Sequence, residues 1–301
     1  MLGKKHLNKE VSMFPAGKSK KIVLGLLVLS MFTLAQAAWA EDAAVKGRQI
    51  METVDALPLI EKMISETTLD IFDSQGSLLF SKRSRTASFV QDYRDQDKKL
   101  NRSLSYFYAP ADDKGNGALM IEKPDTDDDQ WIYLKGLRKP KRIIGSDKSS
   151  SFMGSDFSNG DVAARDIDDS NYLWLATEKI KFKNKSLTVE KIQGSFKDPQ
   201  MRNDYGYSKS VIWIHVKSGL PFKMELYDLN GQLYKKATLL GFTIKKNRDG
   251  KRVFIPTSME MKNVIKGTKT VMNVKNIKTE NAAGKIKPGI FKIDYLTRKW
   301  W

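Results

Sequence analysis

The sequence predicts a mainly β protein: a single antiparallel meander curled into a half-barrel or barrel, covered by an N-terminal helix and loops around an apolar space. Three observations predict it. Strand-like segments follow one another from residue 67 onward, with turn residues roughly every 10–15 positions. The links between the later segments are short and hairpin-like, as at Lys217-Ser218-Gly219, Leu229-Asn230-Gly231, Asn247-Arg248-Asp249-Gly250 and Ile265-Lys266-Gly267. Such links join antiparallel strands, because parallel strands need long crossovers. Finally, only one segment, 43–65, carries clear helical periodicity.

That helix places Ile50, Met51, Val54 and Leu57 on one face, continued by Ile60, Met63 and Ile64, with Pro58 expected to kink or split it. The first strand is expected at 67–73, turned by Ser74-Gln75-Gly76, followed by strands at 77–93 and 98–109. Pro110 and the Gly- and Asp-rich 112–117 read as a loop. Short strands at 118–122 and 131–134 flank an acidic loop, and 145–171 reads as irregular with a helical turn near 168–172. Strands resume at 180–196, 207–217, 221–228, 232–246, 252–264 and 268–279, and Pro288-Gly289 precedes a last short strand at 290–295. Leu220, Phe222, Met224 and Leu226 alternate onto one face, as do Leu240, Phe242 and Ile244. About ten or eleven strands in one meander curl rather than stay flat. Neither a break in composition nor a repeat divides residues 41–301, which are expected to form one domain.

The chain has 301 residues, 41% of them hydrophobic, enough for a sizeable core. The absence of cysteine excludes disulfides, thiol nucleophiles and thiolate metal sites. Lys and Arg number 52 against 35 acids, a net charge of +17, which suits an anionic partner. The N-terminus narrows the choice. Lys4, Lys5, Lys9, Lys18, Lys20 and Lys21 precede an apolar run, 22–35, and small residues Ala38 and Ala40. A run of about 14 falls short of the roughly 20 residues that span a bilayer, so the segment reads as a secretory signal cut after Ala40, with Met13 an alternative start. Removing 1–40 takes six lysines and one glutamate and leaves about +12. The rest is expected in the periplasm, which argues against nucleic acid as a partner.

No enzyme signature emerges. His6 lies within the leader, which leaves His215, on the strand Val211–Val216, as a lone histidine without a partner motif. The acidic loop Asp125-Thr126-Asp127-Asp128-Asp129 fails as a calcium-binding loop, because Gln130 and Gly136 stand where Gly and Glu are needed. Gly17-Lys18-Ser19 lacks the upstream glycine of a phosphate loop. No cofactor or metal is expected.

The distinctive stretch is 130–157. Gln130-Trp131-Ile132-Tyr133-Leu134 leads into the basic cluster Lys135, Arg138, Lys139, Lys141 and Arg142, which reads equally as a contact for lipid phosphates or an acidic partner and as a solvated strand end that deters edge pairing. Ser151-Phe152-Met153-Gly154-Ser155-Asp156-Phe157 reads either as a loop pinned by apolar residues or as a gate at a cavity mouth. Together with Lys141-Arg142-Ile143 and Ser146-Asp147-Lys148, these segments resemble the LolA-like family of outer-membrane lipoprotein-sorting proteins, in the branch that carries an SFMGSDF loop. The N-terminal helix, the Pro110 loop and Gly117-Ala118 fit the same pattern. After Phe157 the sequence departs from it, with Ser158-Asn159-Gly160-Asp161-Val162 in place of an acidic-aromatic continuation.

The resemblance implies an unclosed antiparallel barrel whose opening is covered by helices, a hydrophobic cavity, periplasmic carriage of lipoproteins or lipids, and a link to resistance-nodulation-division (RND) exporters. It implies no catalytic residues. The expected cavity liners are Leu104, Tyr106, Trp131, Tyr133, Phe222, Met224, Phe242, Met259 and Met261, with Phe152, Met153 and Phe157 at the mouth. The basic cluster is the expected contact for a headgroup or partner. The expected function is a carrier of acyl chains towards the outer membrane, with transient membrane-surface contact. The alternative is a cargo-free accessory subunit of an RND-type transporter.

Overall fold

The computed structural model describes residues 41–93, 98–123, 128–284 and 286–301. The expected signal segment, Met13, His6 and Asp125 to Asp127 of the acidic loop lie outside them. The sheet lies within one compact unit, Ala44–Trp301.

Helix α1 covers residues 41–55 and ends before Pro58, whose ring cannot continue it. The helix expected to reach residue 65 therefore stops ten residues early, and its tail is strand. The strands are β1 (Lys62–Phe72), β2 (Leu78–Tyr93), β3 (Lys98–Ala109), β4 (Gly117–Ile121), β5 (Asp129–Leu134), β6 (Lys139–Arg142), β7 (Ser170–Phe182), β8 (Lys185–Phe196), β9 (Lys209–His215), β10 (Leu220–Tyr227), β11 (Leu233–Lys246), β12 (Arg252–Asn263) and β13 (Lys269–Thr279). A short helix, α2 (Pro199–Tyr205), links β8 to β9. It starts where the Asp198 carboxylate accepts the Gln200 N–H and stops at left-handed Gly206.

Three expectations need correction. The segment expected as one strand over 180–196 belongs to a hairpin, β7–β8, turned at Lys183-Asn184, with Lys183 at φ 53°. The basic cluster contributes a strand of its own, β6. The strand expected at 290–295 is two 3-10 turns, Pro288–Ile290 and Ile293–Tyr295.

All thirteen strands lie in one antiparallel sheet, ordered β6-β5-β4-β3-β2-β1-β13-β12-β11-β10-β9-β8-β7. This is not the single meander expected from short links. One meander runs from β1 in the middle out to β6. The chain then crosses to the opposite edge, and a second meander returns from β7 to β13, which pairs with β1. Residues 143–169 make that crossing.

The sheet is curled. Flat, it would hold β6 and β8 roughly 50 Å apart. Yet a Cβ on Gly206, just after α2, would lie 3.2 Å from Ser149, seven residues past β6. The edges β6 and β7 do not pair, so the barrel stays open. The β6 edge is four exposed residues, Lys139-Pro140-Lys141-Arg142, and both proline and cations discourage edge pairing. Against β7 lies α1, where Gly47 leaves no room for a Cβ over the Leu173–Trp174 backbone. Arg48 of α1 donates to the Ile167 carbonyl and the Asp168 carboxylate. Among the described residues no helix is long and apolar enough to cross a membrane.

Candidate functional site

The concave face of the sheet is the candidate site, and the 143–169 crossover fills it. One apolar cluster combines Leu69 of β1, Phe107 of β3, Ala118 of β4, Ile132 of β5, Leu226 of β10, Ala237 of β11 and Met261 of β12 with Ile143, Phe152, Met153 and Phe157 of the crossover. Tyr205 of α2 and Tyr207 complete its buried part. Around it pack Met120, Met201, Met224, Met259 and Met272. Seven of the chain's 12 methionines thus meet on this one face.

The crossover contains a turn closed by its own hydrogen bonds. Ser151 and Ser158 form an isolated bridge, the Phe152 N–H donates to the Phe157 carbonyl at 2.8 Å, and Ser155 Oγ turns back to the Phe152 carbonyl at 2.7 Å. Between them Met153 and Gly154 both adopt positive φ, 50° and 78°. That conformation is ordinary for glycine and strained for methionine. The tight turn pushes Phe152, Met153 and Phe157 out on its apolar side.

Two polar latches hold the loop. Asp156 accepts hydrogen bonds from Thr268 Oγ1 at 2.5 Å and Thr270 Oγ1 at 2.8 Å, and its own N–H donates to Thr270 Oγ1 at 2.9 Å. Asp161 receives the Tyr207 hydroxyl at 2.9 Å, Lys235 Nζ at 3.1 Å and the Ser158 N–H at 2.8 Å. The Lys235 and Asp161 side chains are each only 4% exposed. Burial, and then the neighbouring Asp161, push the Tyr207 hydroxyl well above the ordinary tyrosine range, so it stays a donor. Over Gly160 a Cβ would lie 2.5 Å from the Tyr205 ring. Tyr205 thus covers the Gly160 backbone.

The expected liners do not form one lining. Phe152, Met153, Phe157, Met224, Met259 and Met261 do meet on the concave face. Leu104, Trp131 and Tyr133 alternate with Phe107, Ala118 and Ile132 and so face the other way. They pack under the C-terminal segment with Ala283, Ile286, Phe291 and Leu296. Tyr106 meets Trp301 edge-on at 5.5 Å. Phe222 and Phe242 belong to a third cluster with Phe182 and Phe254. For Leu104, Tyr106, Trp131 and Tyr133 the cause is that alternation shows which residues share a face, but not which face is concave; Phe222 and Phe242 pack in a cluster of their own further along the strands.

The basic cluster is partly neutralised. Lys141 pairs with Asp147 and Arg142 with Asp129, each at 2.7 Å. Burial alone would raise the Asp129 carboxyl, but Lys123 and Arg142 bring it below the ordinary value. Lys135 lies in a 3-10 turn, Arg138 caps that turn in the left-handed region, and Lys139 begins the β6 edge. His215 Nδ1 lies 2.8 Å from Ser218 Oγ and its ring meets Phe222 edge-on, so it packs at the β9–β10 turn. Burial, and then Lys217, lower its pKa. Among the described residues no three His, Asp or Glu side chains converge to hold a metal.

Asp161, Lys235 and Tyr207 escaped the sequence reading. Lys235 looks like any lysine on a polar strand. The available signal was parity, since it shares a face with Ala237 and Leu239.

Beside Tyr207 and Leu226 lies a cavity of about 20 Å³, room for one water, edged by Arg165, Ser195, Lys209 and Ser210.

Residues 99–298 match a protein family described as uncharacterized protein, and the chain belongs to that family. No curated protein matches the chain. Solved structures do. A domain from Vibrio parahaemolyticus named for outer membrane lipoprotein sorting aligns with a TM-score of 0.71 at 26% identity, covering 85% of this chain and 100% of that one. A DUF1329 family protein from Desulfovibrio piger aligns at 0.72 and 24% identity, covering 84% and 99%. A LolA superfamily protein from Nitrosomonas europaea aligns at 0.59 and 19% identity, covering 83% and 98%. The open, helix-capped antiparallel sheet is therefore the fold of the LolA and lipoprotein-sorting superfamily.

Proposed function

We propose that this member of the family is a non-enzymatic periplasmic carrier that shields the acyl chains of a lipoprotein or another lipid on the concave face of its sheet. The observation that carries the reading is the gathering of seven methionines where the 151–157 loop packs on the sheet, Met153 of the loop among them. Methionine side chains are unbranched and polarizable, so they repack around different apolar shapes. Phe152, Met153 and Phe157 occupy the place that acyl chains would take, and carriage requires the loop to leave. Each CH₂ buried in exchange contributes about 0.8 kcal/mol. The fold shared with a domain named for lipoprotein sorting supports the same reading. The basic cluster from Lys135 to Arg142 is the proposed contact for the headgroup or partner.

The test has two parts. Mass spectrometry of an organic extract from the periplasmic protein is expected to show an acyl-chain species at near-stoichiometric amount. The native chain lacks cysteine, so the paired change Asp156→Cys and Thr270→Cys introduces the only possible disulfide. Oxidised, this variant is expected to take up no lipid, and reduction is expected to restore uptake. Absence of bound lipid together with equal uptake by the locked and unlocked forms would sink the carrier.

One observation favours a second reading: side chains already fill the concave face. A cargo-free accessory subunit of an RND-type transporter would need no space there. Met224→Trp, which overfills the face, separates the two. It is expected to abolish carriage, and would leave capture of an inner-membrane transporter intact under the second reading.

A further inference from the structure

At one end of the sheet three turns stand side by side. They join β1 to β2, β12 to β13, and β10 to β11, and they are consecutive in the order β2-β1-β13-β12-β11-β10. A Cβ on Gly267 would lie 3.2 Å from Ser74 of the neighbouring turn, and the Val264 N–H donates to the Tyr234 carbonyl on β11 at 2.8 Å.

All three turns are closed by an Asx side chain. Asp73 accepts the Gln75 and Ser77 N–H groups, Asp228 those of Asn230 and Gln232, and Asn263 those of Ile265 and Lys266. Gly76, Gly231 and Gly267 supply the positive φ that returns each chain. The turns are therefore well-defined supports: the β10–β11 and β12–β13 turns display Leu229, Val264 and Ile265, whereas the β1–β2 turn displays Ser74 and Gln75 and the apolar residues beside it, Leu78 to Phe80, open β2. Ile265 is 63% exposed, Phe80 56%, Leu78 55% and Leu229 44%, with Leu79 and Val264 exposed beside them.

Turn geometry does not require this. The β11–β12 turn at the opposite end uses the same closure, Asn247 accepting the Asp249 and Lys251 N–H groups, and displays Arg248 and Asp249. The β7–β8 and β9–β10 turns at that end display Lys183, Asn184 and Lys217. These turns of the opposite end are charged, whereas the three neighbouring turns carry apolar residues; further along the same end as those three, the β3–β4 loop and the β5–β6 turn expose Asp112, Lys114, Lys135 and Arg138.

Cations surround the apolar tips. Lys262 and Lys266 are exposed on the β12–β13 hairpin. Lys82 and Lys269 also lie near the Phe80 and Phe72 rings, at 5.9 Å and 5.3 Å, but are ion-paired within the chain, Lys82 with Asp113 at 3.0 Å and Lys269 with Glu260 at 3.3 Å, so Lys262 and Lys266 are the cations the rim offers. Asp73 and Asp228 direct one carboxylate oxygen each to backbone N–H groups of their own turns and keep their charge.

We infer that this rim docks the protein on an anionic lipid bilayer, with Phe80, Leu229 and Ile265 entering the interface and the lysines at headgroup level. Separate apolar tips between polar turns offer no continuous groove to a partner helix, whereas a bilayer interface accepts each tip singly. Lys262 and Lys266 beside them complement anionic headgroups, and the net charge, +17 for the full sequence and about +12 without residues 1–40, has the same sign. The same rim borders the loop latch, because Asp156 is held by Thr268 and Thr270 at the start of β13. Docking stands independently of the cargo reading, since a chain that carries no lipid would still bind vesicles.

The test is co-sedimentation of the purified protein with vesicles of phosphatidylethanolamine and phosphatidylglycerol. The native protein is expected in the pellet. The triple change Phe80→Ser, Leu229→Ser and Ile265→Ser is expected to leave it in the supernatant, each change weakening partitioning roughly tenfold. Ile244→Ser, an exposed isoleucine away from the rim, is expected to sediment like the native protein. Should the triple variant lose its fold, Ile265→Ser alone, at a turn tip, carries the comparison. A native protein that stays in solution overturns the inference. So do rim variants that sediment as well as the native chain, and the rim would then be left for a protein partner.

Discussion

At Asp161 an acid and a lysine share a site that excludes water almost completely. Removing one partner strands the other, which costs about 3–5 kcal/mol for a buried pair. Asp161→Ala is therefore expected to lower stability by about that much in urea titrations. Adding Lys235→Met is expected to recover most of the loss, because the charge that needed a partner is gone. A second carboxyl behaves differently. Burial pushes Glu122 up from about 4.5 to about 7, although it accepts the Asn101 N–H at 2.7 Å. Folded Glu122 thus holds its proton more tightly than the unfolded chain does. The stability this adds is full below about pH 4.5 and is lost as pH rises through about 7. Glu122→Gln is expected to flatten that part of the profile, gaining on the order of 2 kcal/mol at pH 8 relative to pH 4. Urea midpoints at the two pH values check it. Individual residues were unevenly legible. Phe152, Met153 and Phe157 stood out because three large apolar side chains in a Ser- and Gly-rich stretch have no other use. Asp161 and Glu122 did not, because a carboxylate's burial depends on neighbours far away in sequence.

Hairpins were the most legible elements. Asp73, Asp228 and Asn247 each precede a glycine by three positions, and Asn263 precedes one by four. Side-chain closure plus a left-handed glycine is a local device, so its signature is local. The C-terminal segment was misread as a strand, since its function depends on what lies beneath it. Residues 280–284 and 286–301 form a strap with 3-10 turns over β2 to β5, with Phe291 and Leu296 buried against Ala87, Leu104 and Leu119. Gly117 is what lets the strap down: a Cβ there would lie 2.3 Å from the Leu296 carbonyl oxygen. Gly117→Ala is expected to destabilise by about 1–3 kcal/mol through forced displacement of backbone. Leu296→Ala is expected to cost about 2–5 kcal/mol. Thermal melts rank both against the parent. The β7–β8 hairpin was missed because Lys183-Asn184 lacks a glycine, and α2 because seven residues are too few for periodicity to register.

For the whole molecule the decisive feature is that β1 lies mid-sheet and pairs with β13. The first arm must end at one edge and the second begin at the other, so the connection between them crosses the concave face. Its apolar residues become the filling of that face. Phe152→Ala with Phe157→Ala is expected to leave a void there, raising fluorescence of an apolar dye while far-UV circular dichroism holds. An apolar cavity of this kind stays dry and accepts apolar guests. An unchanged dye signal would show that the face had collapsed. Local chemistry in the sequence was enough to determine a mainly β chain, most of its strands and turns, the apolar loop at 151–157 and the absence of thiol chemistry. Alternation and turn residues act over a few positions, and a few positions are enough to read them. Only the tertiary structure decided that there are two meanders, which face of each strand is concave, and that the loop lies inside. Those depend on pairing between β1 and β13, some two hundred residues apart, and no short-range pattern records a partner that distant.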